Sequence, residues 1–155
     1  MTDTAAFSPE VALFMSSPST SHKNKSFATF LALLLGGLGA HRFYLRGAVD
    51  KIGLLHVMSV PLCGIVTGLA PEADPFYKML PLLVSYIAGF IQGLVIGVTP
   101  DEKFDAKFNP GSGRKSDSSW LVALLLVTTM LVGTTTLIGT MSRLFDLLYT
   151  GGAYG

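Results

Sequence analysis

Four apolar runs, each long enough to cross a bilayer, stand in a chain of 155 residues: Phe27 to Leu45, Ile52 to Ala70, Met79 to Val98, and Trp120 to about Thr140. A hydrocarbon core of ~30 Å needs about 20 apolar residues in a helix. Within lipid, each backbone N–H and C=O must be paired inside its own segment, so each run is expected to be helical. The runs predict an all-α integral membrane protein with four transmembrane helices arranged as two antiparallel hairpins. The expected organisation is a mobile N-terminal tail over 1–22, a first hairpin over 23–70, a short linker over 71–78, a third helix over 79–98, a polar linker over 99–119, and a fourth helix with a C-terminal extension over 120–148.

Charge follows the same division. Charged residues make up 14% of the chain, against about 25% in soluble domains, and they gather in the ends and linkers. Between Phe27 and Leu45 the only fixed charge is Arg42, and the other three runs carry none. A charge at the centre of a membrane helix costs about 2.5–3.5 kcal/mol on insertion scales, which accounts for the segregation. The tail carries no Lys or Arg before Lys23, so it lacks the basic start of a signal peptide, and the first helix is expected to serve as an uncleaved anchor. Val11 to Met15 is long enough only for a short interfacial turn. Cys63 is the single cysteine, which rules out an intrachain disulfide and paired-cysteine metal spacings.

Four spans place both termini and the 71–78 linker on one side. That side holds Lys23, Lys25, Lys78 and Arg143. The other holds Arg42, Arg46, Lys51, Lys103, Lys107, Arg114 and Lys115. The positive-inside rule then puts the first and third linkers in the cytoplasm and the termini outside. In the third linker, Phe104 and Phe108 share one face of a helical turn, as in a short helix lying at headgroup level. A solvated loop with two anchoring aromatics fits the same pattern. Asn109-Pro110-Gly111 ends it with turn chemistry. Arg114 and Lys115 form a basic pair suited to anionic lipid.

The most specific stretch is Gly36-Gly37-Leu38-Gly39-Ala40-His41-Arg42-Phe43-Tyr44-Leu45. Gly36, Gly37 and Gly39 weaken a helix and permit close backbone approach. Arg42 is suited to reach a lipid phosphate or the free carbonyls of a helix end, and Phe43 and Tyr44 suit the headgroup belt. The stretch resembles the TM-two (two-transmembrane-helix) domain family, in which two helices are joined by a turn bearing an Asp-Arg-Phe or His-Arg-Phe motif after a Gly-rich helix end. His41-Arg42-Phe43 corresponds to that motif. The likeness covers about Lys23 to Gly68, and the remainder is similar to longer bacterial members with a second helix pair. It implies a membrane-embedded hairpin with the turn on the cytoplasmic side, in a bacterial inner membrane, and no known enzymatic activity. His41, Arg42, Phe43 and Tyr44 are accordingly the candidate lipid or partner contacts.

Small residues recur every fourth position at Ala28, Ala32, Gly36 and Ala40, and again at Ser85, Gly89, Gly93 and Gly97, with Gly64 and Gly68 as a further pair. Such stripes drive helix association in lipid. They serve either packing within the bundle or contact with a second copy. Gln92 and His56 are the strongly polar residues of their spans, and His41 and His56 are placed to approach each other. The fourth span carries Thr128, Thr129, Thr134, Thr135, Thr136 and Thr140, residues that line a pore or bond back to their own helix.

No phosphate loop, nucleophile elbow, metalloprotease or dinucleotide motif is present. No cofactor, metal or nucleic acid is expected. The expected role is a non-enzymatic interaction or scaffold component, with membrane lipids, a second copy or other membrane proteins as partners. The alternative is a small channel or transporter subunit.

Overall fold

The computed structural model describes residues 21–154, and the tail expected over 1–22 lies almost wholly outside them. Six α-helices follow: α1 (Lys25–Leu35), α2 (Ala40–Arg46), α3 (Lys51–Leu69), α4 (Pro75–Val98), α5 (Asp101–Phe108) and α6 (Trp120–Thr150). Gly36–Leu38 form a 3-10 turn between α1 and α2. Three helices are long and apolar enough to cross a membrane: α3, α4 and α6.

The first apolar run departs from expectation. It is not one helix of span length. α1 has 11 residues, about 16 Å at 1.5 Å per residue. The chain then turns on Gly39, whose φ of 71° and ψ of 18° are left-handed, a conformation glycine adopts without steric cost. α2 leads back the way α1 came. The register against α4 shows this directly. Lys25 Nζ donates to the Thr99 carbonyl at 2.6 Å, Ala32 lies against Gly93, and Gly36 lies against Gly89, so α1 descends antiparallel to α4. On the return, His41 meets Gln92, and Leu45 packs in a cluster with Ile96 and Phe104. The amide of Asn24 donates to the Tyr44 hydroxyl at 2.7 Å, and the Phe27 and Tyr44 rings meet edge to face at 5.0 Å. The start of α1 and the end of α2 therefore share one end of the molecule, and the pair is a re-entrant hairpin whose tip reaches the middle of α4.

Two of these three long helices start on a capping aspartate. Asp50 caps α3 by accepting from the Gly53 amide at 2.7 Å. Asp74 caps α4 by accepting from the Phe76 amide at 2.8 Å, with Pro75 at the first helical position, where its missing N–H costs nothing. α6 stops where Gly151 turns left-handed at φ 67°.

The two stripes of small residues meet each other. Ala28 and Ala32 of α1 and Gly36 of the 3-10 turn are buried, as are Ser85, Gly89, Gly93 and Gly97 of α4, while Ala40, the fourth of the first stripe, falls on α2. Gly97 receives Leu126 of α6, and the Phe90 ring lies over Gly133 of α6. Gly64 and Gly68 of α3 face open space. In lipid no hydrophobic effect acts between helices, so this close backbone contact is the principal packing attraction. α5 is more than a headgroup float. Phe104 is fully buried against Ala28 and Leu45, which clamps α5 over the base of the hairpin.

Candidate functional site

The residues of the motif turn do not hang free in the headgroup layer. They are built into a hydrogen-bonded chain that joins α2, α3 and α4. Arg42 binds Asp50 through both arms of its guanidinium, Nε to Oδ1 at 2.6 Å and Nη2 to Oδ2 at 3.0 Å. This bidentate geometry is the strong form of the pair. Both side chains are largely enclosed, at 13% and 7% exposure. The guanidinium holds the Asp50 carboxyl far below the usual carboxylate range.

Arg42 also donates through Nη1 to Gln92 Oε1 at 3.1 Å. A guanidinium only donates, so it fixes which end of the Gln92 amide faces it. Gln92 Oε1 therefore accepts a second bond, from His41 Nε2 at 3.0 Å. Gln92 Nε2 is left to donate to His56 Nε2 at 2.9 Å. His56 Nδ1 must then carry the proton and donate to Ser85 Oγ at 2.7 Å. Ser85 Oγ donates in turn to the Gly37 carbonyl at 2.6 Å. The chain begins on a group that only donates and ends on one that only accepts, so each hydrogen bond between them points the same way. His56 is thereby held neutral with its proton on Nδ1, while His41 carries a proton on Nε2. Aligned chains of this kind polarise one another in low dielectric. The Ser85 bond also satisfies the carbonyl of Gly37 at the mid-membrane tip, where an unpaired backbone group is costly.

One atom falls outside this closure. His41 is fully buried, and its Nδ1 has no partner. Gln92 engages only the other ring nitrogen, Nε2, and among the described residues no group reaches Nδ1.

Phe43 packs its ring over Gly53 of α3, so close that a Cβ there would stand 2.8 Å from it. Tyr44 closes the base of the hairpin. His41 and His56 do approach, with ring centroids 6.0 Å apart, but among the described residues no group of three metal-ligating side chains forms. Arg114 and Lys115 are exposed on the third linker, in a shallow depression they share with Asp117.

Sequence reasoning passed over Asp50 and gave Ser85, Lys25 and Asn109 other parts, in a packing stripe, a charge count and a turn. Asp50 had a signal, since it is the single acidic residue between Glu10 and Glu72. Lys25 is buried and spends its three donors on the Thr99 carbonyl, Asp101 Oδ1 and Ser118 Oγ. Asn109 pairs with the Lys23 backbone twice, accepting at 2.6 Å and donating at 3.1 Å. These contacts place Lys23 and Lys25 beside the third linker, opposite to the side the four-span count gave them.

The third linker has its own organising acid. Asp105 accepts from the Ser116 amide and hydroxyl, each at 2.6 Å, and from Asn109 Nδ2 at 2.7 Å. These donors, the Ser116 amide first, lower its carboxyl from 3.8 to about 2. A carboxylate depressed by folding stabilises the fold above its unfolded value and loses that contribution as pH falls through its folded one. The linker is expected to stay docked from neutral pH to about pH 4 and to loosen between about pH 4 and 2, followed by the Ser116 amide resonance. Loosening already near neutral pH would contradict it.

Residues 21–68 match the family model described as TM2 domain. The match covers the re-entrant hairpin and nearly all of α3. No curated protein and no solved structure matches the chain.

Proposed function

We propose that this TM2-domain protein is a non-enzymatic interaction or scaffold component of the bacterial inner membrane, crossing it three times with a re-entrant hairpin inserted from the cytoplasmic face. The observation that supports this reading most is the closed hydrogen-bond chain from Arg42 to the Gly37 carbonyl. It commits the polar groups of the membrane interior to holding the hairpin against α3 and α4, so the surfaces left for contact lie outside the bundle.

The return of the hairpin changes the topology. Lys23, Lys25, Arg42, Arg46, Lys51, Lys103, Lys107, Arg114 and Lys115 then share one end, and Lys78 and Arg143 the other. The opposite end is marked by the Arg143–Asp74 ion pair at 3.1 Å, which joins α6 to the short linker before α4. Nine positives against two make a stronger inside signal than the seven against four of a four-span arrangement. The first and third linkers stay cytoplasmic, residues 21–24 join them, and the end of α6 emerges outside.

The channel alternative draws no support from the threonines of α6. Thr128, Thr129 and Thr136 bond back to the carbonyls of Leu124, Leu125 and Val132, and Thr134 and Thr135 are exposed on the outer surface. Such back-bonding is ordinary helix chemistry.

Topology is tested by single cysteines in a Cys63→Ser background, labelled with an impermeant thiol reagent in intact cells. Ala73→Cys and Gly152→Cys are expected to label from outside. Ser21→Cys and Ser112→Cys are expected to label only after permeabilisation. Labelling of Ser21→Cys from outside would restore the four-span arrangement. The scaffold role is tested by purifying a tagged copy in mild detergent, with mass spectrometry and a size measurement. A defined complex or oligomer is expected. A lone monomer, together with solute flux through reconstituted vesicles, would replace the scaffold reading with the channel one.

A further inference from the structure

Two adjoining cavities open between α2 and α5, and both are lined by Leu45, Arg46, Lys107 and Phe108. The inner one, about 150 Å³, also reaches Arg42 and the buried His41. The outer one, about 610 Å³, reaches Lys23. No acidic side chain lines either cavity. Gln92 adds a polar group to the inner cavity and Ser21 to the outer one, and Val95 and Ile96 from the last turns of α4 give the inner one an apolar wall.

The charge there is poorly neutralised. Asp50 is spent on Arg42, and Arg46 Nη1 lies 3.6 Å from the same carboxylate, so one anion serves two guanidiniums. Among the described residues Lys23 and Lys107 form no ion pair, and each ammonium lies over an aromatic ring instead, Tyr44 at 5.2 Å and Phe108 at 5.4 Å.

We propose that the α2–α5 cleft is a binding site for an anionic phosphate ester. Arg46, Lys107 and Lys23 meet the phosphate oxygens, and the carbon part lies on Leu45, Ile96 and Phe108. The cleft sits where α4 reaches the end of its apolar length, the height of the headgroup phosphates of a surrounding leaflet. The same chemistry is offered by two sources, the headgroup of an anionic phospholipid or a soluble phosphate ester. The proposal deepens the scaffold reading by naming what its cationic face holds, and it rests on that face being cytoplasmic and free.

The test uses the full chain purified in a zwitterionic detergent, titrated with phosphatidylglycerol, phosphatidylcholine and glycerol 3-phosphate, with bound ligand counted by native mass spectrometry. Arg46→Gln/Lys107→Gln is compared with Arg114→Gln/Lys115→Gln, which removes equal charge from the neighbouring linker. An unchanged melting temperature shows that each variant is folded. The first pair is expected to weaken phosphatidylglycerol binding roughly tenfold to thirtyfold, and the second pair less than about twofold. Displacement of the lipid by glycerol 3-phosphate would identify a soluble ester as the source, and lack of displacement a lipid. Equal losses in both double variants would mean diffuse surface charge and would overturn the site, as would equal retention of phosphatidylcholine. Partner co-purification is scored separately, so a missing complex counts against the scaffold reading and not against the cleft.

Discussion

Arg42→Ala is expected to destabilise the fold by roughly 3–5 kcal/mol, the loss typical of breaking one side of an enclosed ion pair. The damage comes from what remains. Asp50 is 7% exposed, and without the Arg42 guanidinium it keeps only the Gly53 amide and the longer, single contact with Arg46 at 3.6 Å. Gln92 loses the donor that fixes its orientation, so its amide is free to flip and its hydrogen bonds to His41 and His56 lose their common direction. Arg42→Lys is expected to recover part of the loss, because an ammonium restores the charge without the two-armed fork. Arg42→Met/Asp50→Asn provides the sharper comparison. Asparagine still caps α3, and the pair leaves no buried charge. Thermal unfolding in detergent is expected to show the double variant more stable than Arg42→Ala alone, a positive coupling in the cycle. If the double variant melts no higher than the single one, the stranded carboxylate is not the cause.

The class of the protein was plain in the sequence because apolar length and charge segregation are properties of single segments. Three of the four runs became helices long and apolar enough to cross a membrane for that reason. The first run misled because hydropathy carries no direction. Phe27 to Leu45 is as apolar descending once as descending and returning, and only the backbone at Gly39 separates the two. The weakening glycines were visible, but their effect was read as fraying at a helix end and not as reversal. That one error carried Lys23 and Lys25 to the wrong side. The stripe of α4 was legible because a four-residue period belongs to a single helix, whereas the first stripe keeps that meaning only for Ala28 and Ala32, with Gly36 in the turn and Ala40 on α2. Their meeting was not, because it depends on register between segments more than 50 positions apart. The hydrogen-bond chain was hidden for the same reason. Arg42, Asp50, Gln92, His56 and Ser85 sit on three elements, and each alone looks like an isolated polar residue. His41 and Arg42 were singled out from the motif, but their partners follow only from the fold.

Gly89→Val is expected to detach the re-entrant hairpin from α4. An ideal Cβ on Gly89 would stand 2.5 Å from the Gly36 carbonyl carbon and 2.6 Å from its Cα. Both are backbone atoms, so no rotamer can give way. The alternative is to move α1 bodily, which also pulls Gly37 away from Ser85 and opens the polar chain at its tip. Overpacking a filled core costs typically 1–3 kcal/mol when neighbours can shift, and here relief requires separating two helices, so the loss is expected at or above the top of that range. Gly89→Ala already meets the clash, and valine adds two methyl groups to it. Gly36→Ala is expected to be milder, because its Cβ would lie 3.1 Å from the Gly89 Cα. Gly64→Val serves as the control, since nothing lies within 4 Å of a Cβ there. The readout is thiol labelling of a Gly37→Cys reporter in a Cys63→Ser background, beside its melting temperature. A Cβ at residue 37 would itself crowd the Tyr86 ring, so Thr29→Cys, fully buried in α1, is the preferred reporter. Rapid labelling of Thr29→Cys with Gly89→Val, and slow labelling with Gly64→Val, would show that the Gly36–Gly89 contact seats the hairpin. Equal protection in both would mean that α1 is held from its base, through Lys25 and Phe104, and that the glycine contact merely follows.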